Sequence, residues 1–193
     1  MGNEIEATFY EIDKDEIRAK LKELGATLVY PEFLMRRVVY ETGKHSFARV
    51  RQEGNGVVMT YKKYVDDTVI TGCKEVNVKV DDYEAANLFM HGIGMQEKAN
   101  QDSYRELWEL DGVEITIDTW PWIPTYIEVE GPTEELVWVV SEKLGFKKED
   151  AHFGSVDRVY NYYYGVDMDI VNSATPVINF EIEPPEWAKK RIR

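Results

Sequence analysis

Strict alternation of apolar and charged residues over positions 3–11 constrains this chain more than any other feature. Successive side chains of a strand point to opposite faces. Ile5, Ala7 and Phe9 therefore share one face, and Glu4, Glu6 and Thr8 share the other. Residues two apart lie roughly 7 Å from each other along a strand, so Glu4 and Glu6 form a carboxylate pair. Such a pair can hold a hard divalent cation, as Mg²⁺ takes oxygen ligands and often shares itself with substrate phosphates. Taken alone, the segment reads first as an ordinary half-buried strand with solvated glutamates. A second copy of the pattern changes its weight. Residues 126–130 place Glu128 and Glu130 on one face, and the preceding segment 112–119 sets Glu114, Thr116 and Asp118 against Val113, Ile115 and Ile117. Two Glu-x-Glu strands far apart in the chain, with Asp118 between them, can converge on one metal site.

Basic residues concentrate elsewhere. A hairpin is predicted over 47–53 and 57–64 around Gly54-Asn55-Gly56. Arg49 and Arg51 share a face of it, Lys62 joins them on the returning strand if the register allows, and Lys63 points away. Two adjacent guanidinium forks suit phosphate oxygens. The segment 35–41 reads as a strand. Another, 73–80, sets Val76, Val78 and Val80 against Glu75, Asn77 and Lys79, and a long or bulged strand over 95–110 carries Lys98 and Arg105. Helices are predicted from Asp13 to Gly25 through Ile17, Leu21 and Leu24, from Asp81 or Asp82 through Ala85, Leu88 and Phe89, and from Pro132 to Gly145 burying Leu136, Val139, Val140 and Leu144. The tyrosine-rich stretch 155–169 reads as a helix laid on the body, and 184–193 as an extended, fraying end. The tryptophans of the loop 120–124 are expected to pack, with stacking on a ligand as the alternative.

The strand faces collect two charge sets: the acids Glu4, Glu6, Glu75, Asp118, Glu128 and Glu130, and the bases Arg49, Arg51, Lys62, Lys98 and Arg105. A sheet with helices on its apolar face and its charged face curled inward is an α+β barrel with a polar lumen suited to a polyphosphate. The formal charge of −13, from 36 acidic and 23 basic residues, opposes binding to duplex nucleic acid or anionic membranes. An anionic ligand therefore needs the local basic cluster. Cys73 is the only cysteine, so an internal disulfide and a cysteine-based zinc site are excluded. With no run of about 18 apolar residues and an acidic N-terminus, a cytoplasmic protein is expected.

In their order these motifs resemble those of the CYTH domain, or triphosphate tunnel metalloenzymes, a family that includes thiamine triphosphatases, inorganic triphosphatases and class IV adenylate cyclases. Glu4-Ile5-Glu6-Ala7-Thr8 resembles the N-terminal ExExK signature, with Thr8 in the lysine's place. Arg49-Val50-Arg51 resembles the RxR pair, Met59-Thr60-Tyr61-Lys62 the lysine strand, and Asp118 with Glu128-Val129-Glu130-Gly131 the closing acidic motif. The resemblance covers about residues 3–146 of one domain spanning 1–193, with 147–193 as a C-terminal extension. It implies an eight-stranded antiparallel tunnel, with Mg²⁺ or Mn²⁺ held by Glu4, Glu6, Asp118, Glu128 and Glu130. Phosphate oxygens would meet Arg49, Arg51, Lys62 and Arg105, with Lys98 or Lys79 making up for Thr8. Tyr40 and Lys62 resemble a dyad proposed to help activate water. The implied partner is a triphosphate-bearing small molecule, acted on by hydrolysis, by cyclisation of ATP, or bound without turnover. The extension is expected to plug one tunnel mouth or to mediate a homodimer.

Overall fold

The computed structural model describes residues 2–193; Met1 lies outside them. Ten strands form one sheet: β1 (Gly2–Glu4), β2 (Glu6–Phe9), β3 (Thr27–Glu41), β4 (Ser46–Glu53), β5 (Gly56–Tyr64), β6 (Cys73–Val80), β7 (Glu97–Leu110), β8 (Val113–Thr119), β9 (Tyr126–Glu130) and β10 (Val177–Ile178). The strand order is β1-β6-β5-β4-β3-β7-β8-β9-β2, antiparallel throughout, with β10 added parallel to β7. The two ends of this path are the two halves of one N-terminal segment. β1 pairs with β6 and β2 pairs with β9, while the Ile5 carbonyl between them accepts from Gly131 N–H at 3.1 Å. The expected single N-terminal strand is thus split, because its halves bond to opposite edges of the sheet. The split raises the strand count of the barrel from the expected eight to nine.

Five helices lie outside: α1 (Lys14–Glu23), α2 (Tyr83–Gly92), α3 (Glu134–Leu144), α4 (Val156–Tyr164) and α5 (Met168–Ser173). Asp13 caps α1 by accepting from the N–H groups of Asp15 and Glu16, Asp82 caps α2, and Thr133 caps α3. Gly145 closes α3 in the left-handed conformation at φ 98°. Two faces differ from expectation. α2 buries Ala86, Asn87 and Met90 and leaves Leu88 and Phe89 exposed, while α3 buries Val137, Val140, Ser141 and Leu144 and leaves Val139 exposed. Helix α2 is turned so that Asn87 reaches Tyr40, and α3 so that Val137 and Val140 meet the core under β2, β8 and β9.

That core contains Ala7, Phe9, Ile115, Ile117, Ile127 and Val129, the outward faces of the strands that carry the acids. A second apolar cluster lies at the C-terminal extension, where Tyr160 and Tyr163 of α4 pack on Trp120, Ile123 and Tyr126. The C-terminal end, expected to be free of the body, makes contacts with it. The Trp187 ring meets Trp122, Tyr160 and Tyr164 at centroid distances of 6.0, 5.6 and 5.7 Å, and Ile192 N–H donates to the Tyr163 carbonyl at 2.8 Å. The apolar content of this end, hidden among prolines and charges in the sequence, finds an aromatic socket only once α4 is in place. Trp187→Ala is expected to lower unfolding free energy by about 2 kcal/mol, the scale of burying most of a large apolar side chain. Urea denaturation of the variant beside wild type checks this.

Candidate active site in the barrel lumen

Period two carries inward the paired acids of β1, β2 and β9 and the basic residues of β4 and β7 that were expected at the site. The lumen is one cavity of about 800 Å³ lined by Glu4, Glu6, Arg37, Arg49, Arg51, Lys62, Glu75, Lys98, Arg105, Glu128 and Glu130, among others. Of the residues expected at the site, Tyr40 and Asp118 are placed differently. Tyr40 faces outward from β3, fully buried beneath α2, and donates to Asn87 Oδ1 at 2.7 Å. It is three strand positions from Arg37, and this odd spacing puts it on the other side of the sheet. A role in a water-activating dyad is therefore out of reach for its hydroxyl. Asp118 is fully buried and already committed. It accepts from Arg105 Nε and Nη2 at 2.7 Å each and from Thr116 Oγ1 at 2.7 Å. It serves as a counter-ion instead of an open metal ligand.

The acids form a graded cluster. One ligand oxygen each from Glu4, Glu75 and Glu130 lie within 4.8 Å of one another. Strand pairing explains this: Glu6 faces Glu130 across β2–β9, and Glu75 faces Lys62 across β5–β6. Glu4 receives the Lys62 ammonium on one oxygen, while its other oxygen is buried without a partner. Glu75 stands 3.4 Å from the same ammonium. Burial raises the Glu6 carboxyl well above its usual range, and the charges of Glu4, Glu128 and Glu130 push the same way. Burial with Glu4 lifts Glu130 to about 7. For Glu4, burial acts upward but Lys62 outweighs it, leaving the group below its ordinary value. Lys62 is held above its own despite burial, by Glu4 and Glu6. One ammonium for this many carboxylates leaves the cluster short of positive charge. An all-carboxylate donor set with an orphaned buried oxygen fits a hard cation such as Mg²⁺ or Mn²⁺. Glu75 takes the place in the trio that sequence spacing gave to Asp118.

The bases gather apart from it. Arg49 and Arg51 of β4 point inward as expected, and Arg51 Nε donates to Glu53 Oε1 at 2.7 Å. Burial and the nearby Arg49 and Arg105 lower Arg51 to about 10 in spite of Glu53. Arg105 bridges Asp118 and Glu128 at 2.7 Å each; burial alone would lower it, and these two carboxylates hold it well above the ordinary value. Lys98 lies 3.6 Å from Glu41. Lys79 also lines the cavity. Thr8 is buried, lies opposite Glu128 on β9, and bridges by its backbone to His152. Sequence reading missed Arg37, which pairs with Arg51 across β3–β4 and stacks its guanidinium 4.4 Å from the Trp120 ring. Its signal was its place midway between Met35 and Val39 on one face of the strand expected over 35–41, a face that was given no role. The loop tryptophans divide their roles: Trp120 lines the cavity under Arg37, and Trp122 packs against Trp187.

The extension contributes to the wall of the cavity. Ser155, Asp157, Met168, Asp169 and Asn172 line the cavity, and Asn172 Nδ2 fixes the Asp157 carboxylate at 2.6 Å. Arg158 ties α4 to Asp67 of the β5–β6 loop at 2.5 Å.

A closed antiparallel barrel with an acidic cluster and an arginine cluster facing one lumen defines a triphosphate-tunnel protein. A model of the CYTH domain matches residues 3–163, and the chain belongs to that family. A Methanocaldococcus jannaschii protein named as a candidate adenylate cyclase is 24% identical over 125 residues, which are 61% of this chain and 70% of the relative. Among solved structures, a Pyrococcus horikoshii protein superposes with a TM-score of 0.70 at 22% identity, covering 81% of this chain and 98% of its own. A Vibrio parahaemolyticus protein, also named as a candidate adenylate cyclase, superposes at 0.68 with 11% identity, covering 81% and 97%. These likenesses establish the fold. Among the described residues no helix is long and apolar enough to cross a membrane.

The Arg105–Asp118 pair yields a test independent of any ligand. Removing one partner of a buried pair typically costs about 3–5 kcal/mol, and Glu128, which stays paired with Arg105, holds the loss here to the lower end of that range. Asp118→Asn is therefore expected to lower stability in metal-free buffer by an amount of that order, read by urea denaturation in EDTA. A variant as stable as wild type contradicts the counter-ion role.

Proposed function

We propose that this chain is a metal-dependent phosphoryl-transfer enzyme that binds a triphosphate-bearing small molecule in the barrel and, most simply, hydrolyses it. The observation that carries this reading is the division of one continuous cavity into the carboxylate trio Glu4, Glu75 and Glu130 and the arginine cluster of Arg49, Arg51 and Arg105. Glu4, Glu75 and Glu130 would hold Mg²⁺ or Mn²⁺, with Glu6 and Glu128 beside them. When bound, such an ion supplies Lewis-acid polarisation of a phosphoryl oxygen. Arg49 and Arg51 grip non-bridging oxygens through forked N–H pairs. Arg105, braced by Asp118 and Glu128, presents a fixed charge that needs no reorganisation as negative charge develops. Lys62, pinned between Glu4 and Glu75, orients both carboxylates.

A second reading, conversion of ATP to a cyclic nucleotide and pyrophosphate, is favoured by the names of the M. jannaschii and V. parahaemolyticus relatives. The two share the phosphate site and differ in the nucleophile, water in one and a ribose hydroxyl in the other.

The discriminating experiment incubates purified protein with tripolyphosphate, thiamine triphosphate or ATP, with Mg²⁺ or Mn²⁺, and follows products by ³¹P NMR and chromatography. Orthophosphate release is expected, abolished by EDTA and reduced at least about 100-fold in Glu130→Gln, the scale of losing a transition-state charge stabiliser. Cyclic AMP with pyrophosphate would establish the second reading. Ligand-induced stabilisation without any product would leave a binding module.

A further inference from the structure

Arg37 stands in the lumen without a counter-ion. It is 6% exposed, and its Nε is buried with no hydrogen-bond partner. Among the described residues it forms no ion pair, whereas Arg51, Arg105 and Lys62 all do. Its guanidinium is held by neutral groups alone: it donates to the Ser103 hydroxyl and lies on the face of Trp120. Its cross-strand neighbours are Arg51 on β4 and Gln101 on β7. Burial, together with Arg51, Arg49 and Arg105, outweighs the opposing field of Asp118, which does not touch it, and pulls its proton affinity well below the ordinary guanidinium value. Arginines directly opposite each other on a sheet repel. An unpaired buried charge carries a penalty of several kcal/mol. A folded chain keeps such a group only where something else repays it, and a ring stack with one hydroxyl does not neutralise it.

We propose that Arg37 is a phosphate-binding residue of the lumen, holding, together with Arg51 and Gln101, an anionic phosphoryl group of the ligand on the Trp120 side of the cavity. This deepens the tunnel reading above and rests on it. Trp120 and Ser103 fix the guanidinium plane, leaving Nε and the remaining N–H donors as a preset fork. Fixing the plane in advance removes the rotamer entropy that a mobile arginine would lose on binding. On the ring of strands, β3 lies four places from the β1/β2 segment in either direction. Arg37 therefore supplies positive charge from the wall opposite Glu4 and Glu6.

The sign of the stability change separates this role from a structural one. An anion-binding arginine is a liability in the ligand-free protein, so Arg37→Met is expected to leave the ligand-free Tm unchanged or raised. The same change should weaken binding of tripolyphosphate by about 10–100-fold, measured by calorimetry in EDTA so that the metal site is silent. Arg37→Lys keeps the charge but loses the planar fork, and is expected to bind several-fold more weakly than wild type. A lowered Tm with unchanged affinity in Arg37→Met would overturn the proposal and make the residue structural. Should Arg37→Met not fold, wild-type affinity in Arg37→Lys would overturn it equally. Arg51→Met is the control for the tunnel itself: weak binding there with wild-type binding in Arg37→Met rejects the role of Arg37 and keeps the tunnel reading. Wild-type protein that binds no tripolyphosphate, with or without Mg²⁺, rejects both.

Discussion

Closure of the sheet by residues 2–9 is the constraint on which everything else depends. β1 bonds to β6 and β2 to β9, so one short segment joins the two edges that an open sheet would leave unpaired. An open edge would present a row of bare N–H and C=O groups to solvent or to another chain. Closure also fixes parity, because a one-residue slip would exchange the charged and apolar faces of the whole segment. Glu4 and Glu6 then have one place to go, inside, while Ala7 and Phe9 have the other, under α3.

Interior charge is the consequence. The lumen gathers carboxylates around a single ammonium on one side and guanidinium groups around three carboxylates, Glu53, Asp118 and Glu128, on the other. Neither cluster is neutralised where it stands, and low local dielectric amplifies the imbalance. The orphaned atoms mark it: Glu4 Oε2 among the acids, Arg37 Nε and Arg49 Nε among the bases. A ligand that brings cation and polyanion together complements both clusters at once, which neither a lone metal nor a lone phosphate does. Apolar burial under β2, β8 and β9, with α4 and Trp187 packed around Trp122, provides the stability that holds this mismatch open.

The C-terminal extension belongs to the site as much as to the shell. Asp157, Asn172 and Met168 line the cavity, and the extension is tied down through Arg158 to Asp67 and through Trp187 to the aromatic socket. The family model matches through residue 163, a span that takes in nearly all of α4. Motifs mark strands that carry charge; a helix that contributes packing and a few polar tips leaves no comparable trace.

Legibility in the sequence followed the range of the physics. Period-two alternation is local, so the inward faces of Glu4, Glu6, Arg49, Arg51, Lys62, Glu128 and Glu130 could be read directly, as could the caps at Asp13 and Asp82 and the turn at residues 54–55. Helix rotation was less legible, and Val139 and Leu88 were turned outward by contacts the helices alone could not announce. Which inward residues meet was not local at all. Asp118 belongs to Arg105 because β7 and β8 pair in the register that sets them opposite. Glu75 joins Glu4 and Glu130 only because closure brings β6 and β9 to the two halves of one segment. Tyr40 falls outside for want of one residue of parity relative to Arg37. The sequence by itself determined which face each strand side chain takes, since that is set by neighbours two residues away. Tertiary structure alone decided the partnerships across the lumen, since those depend on how the far ends of the chain come together.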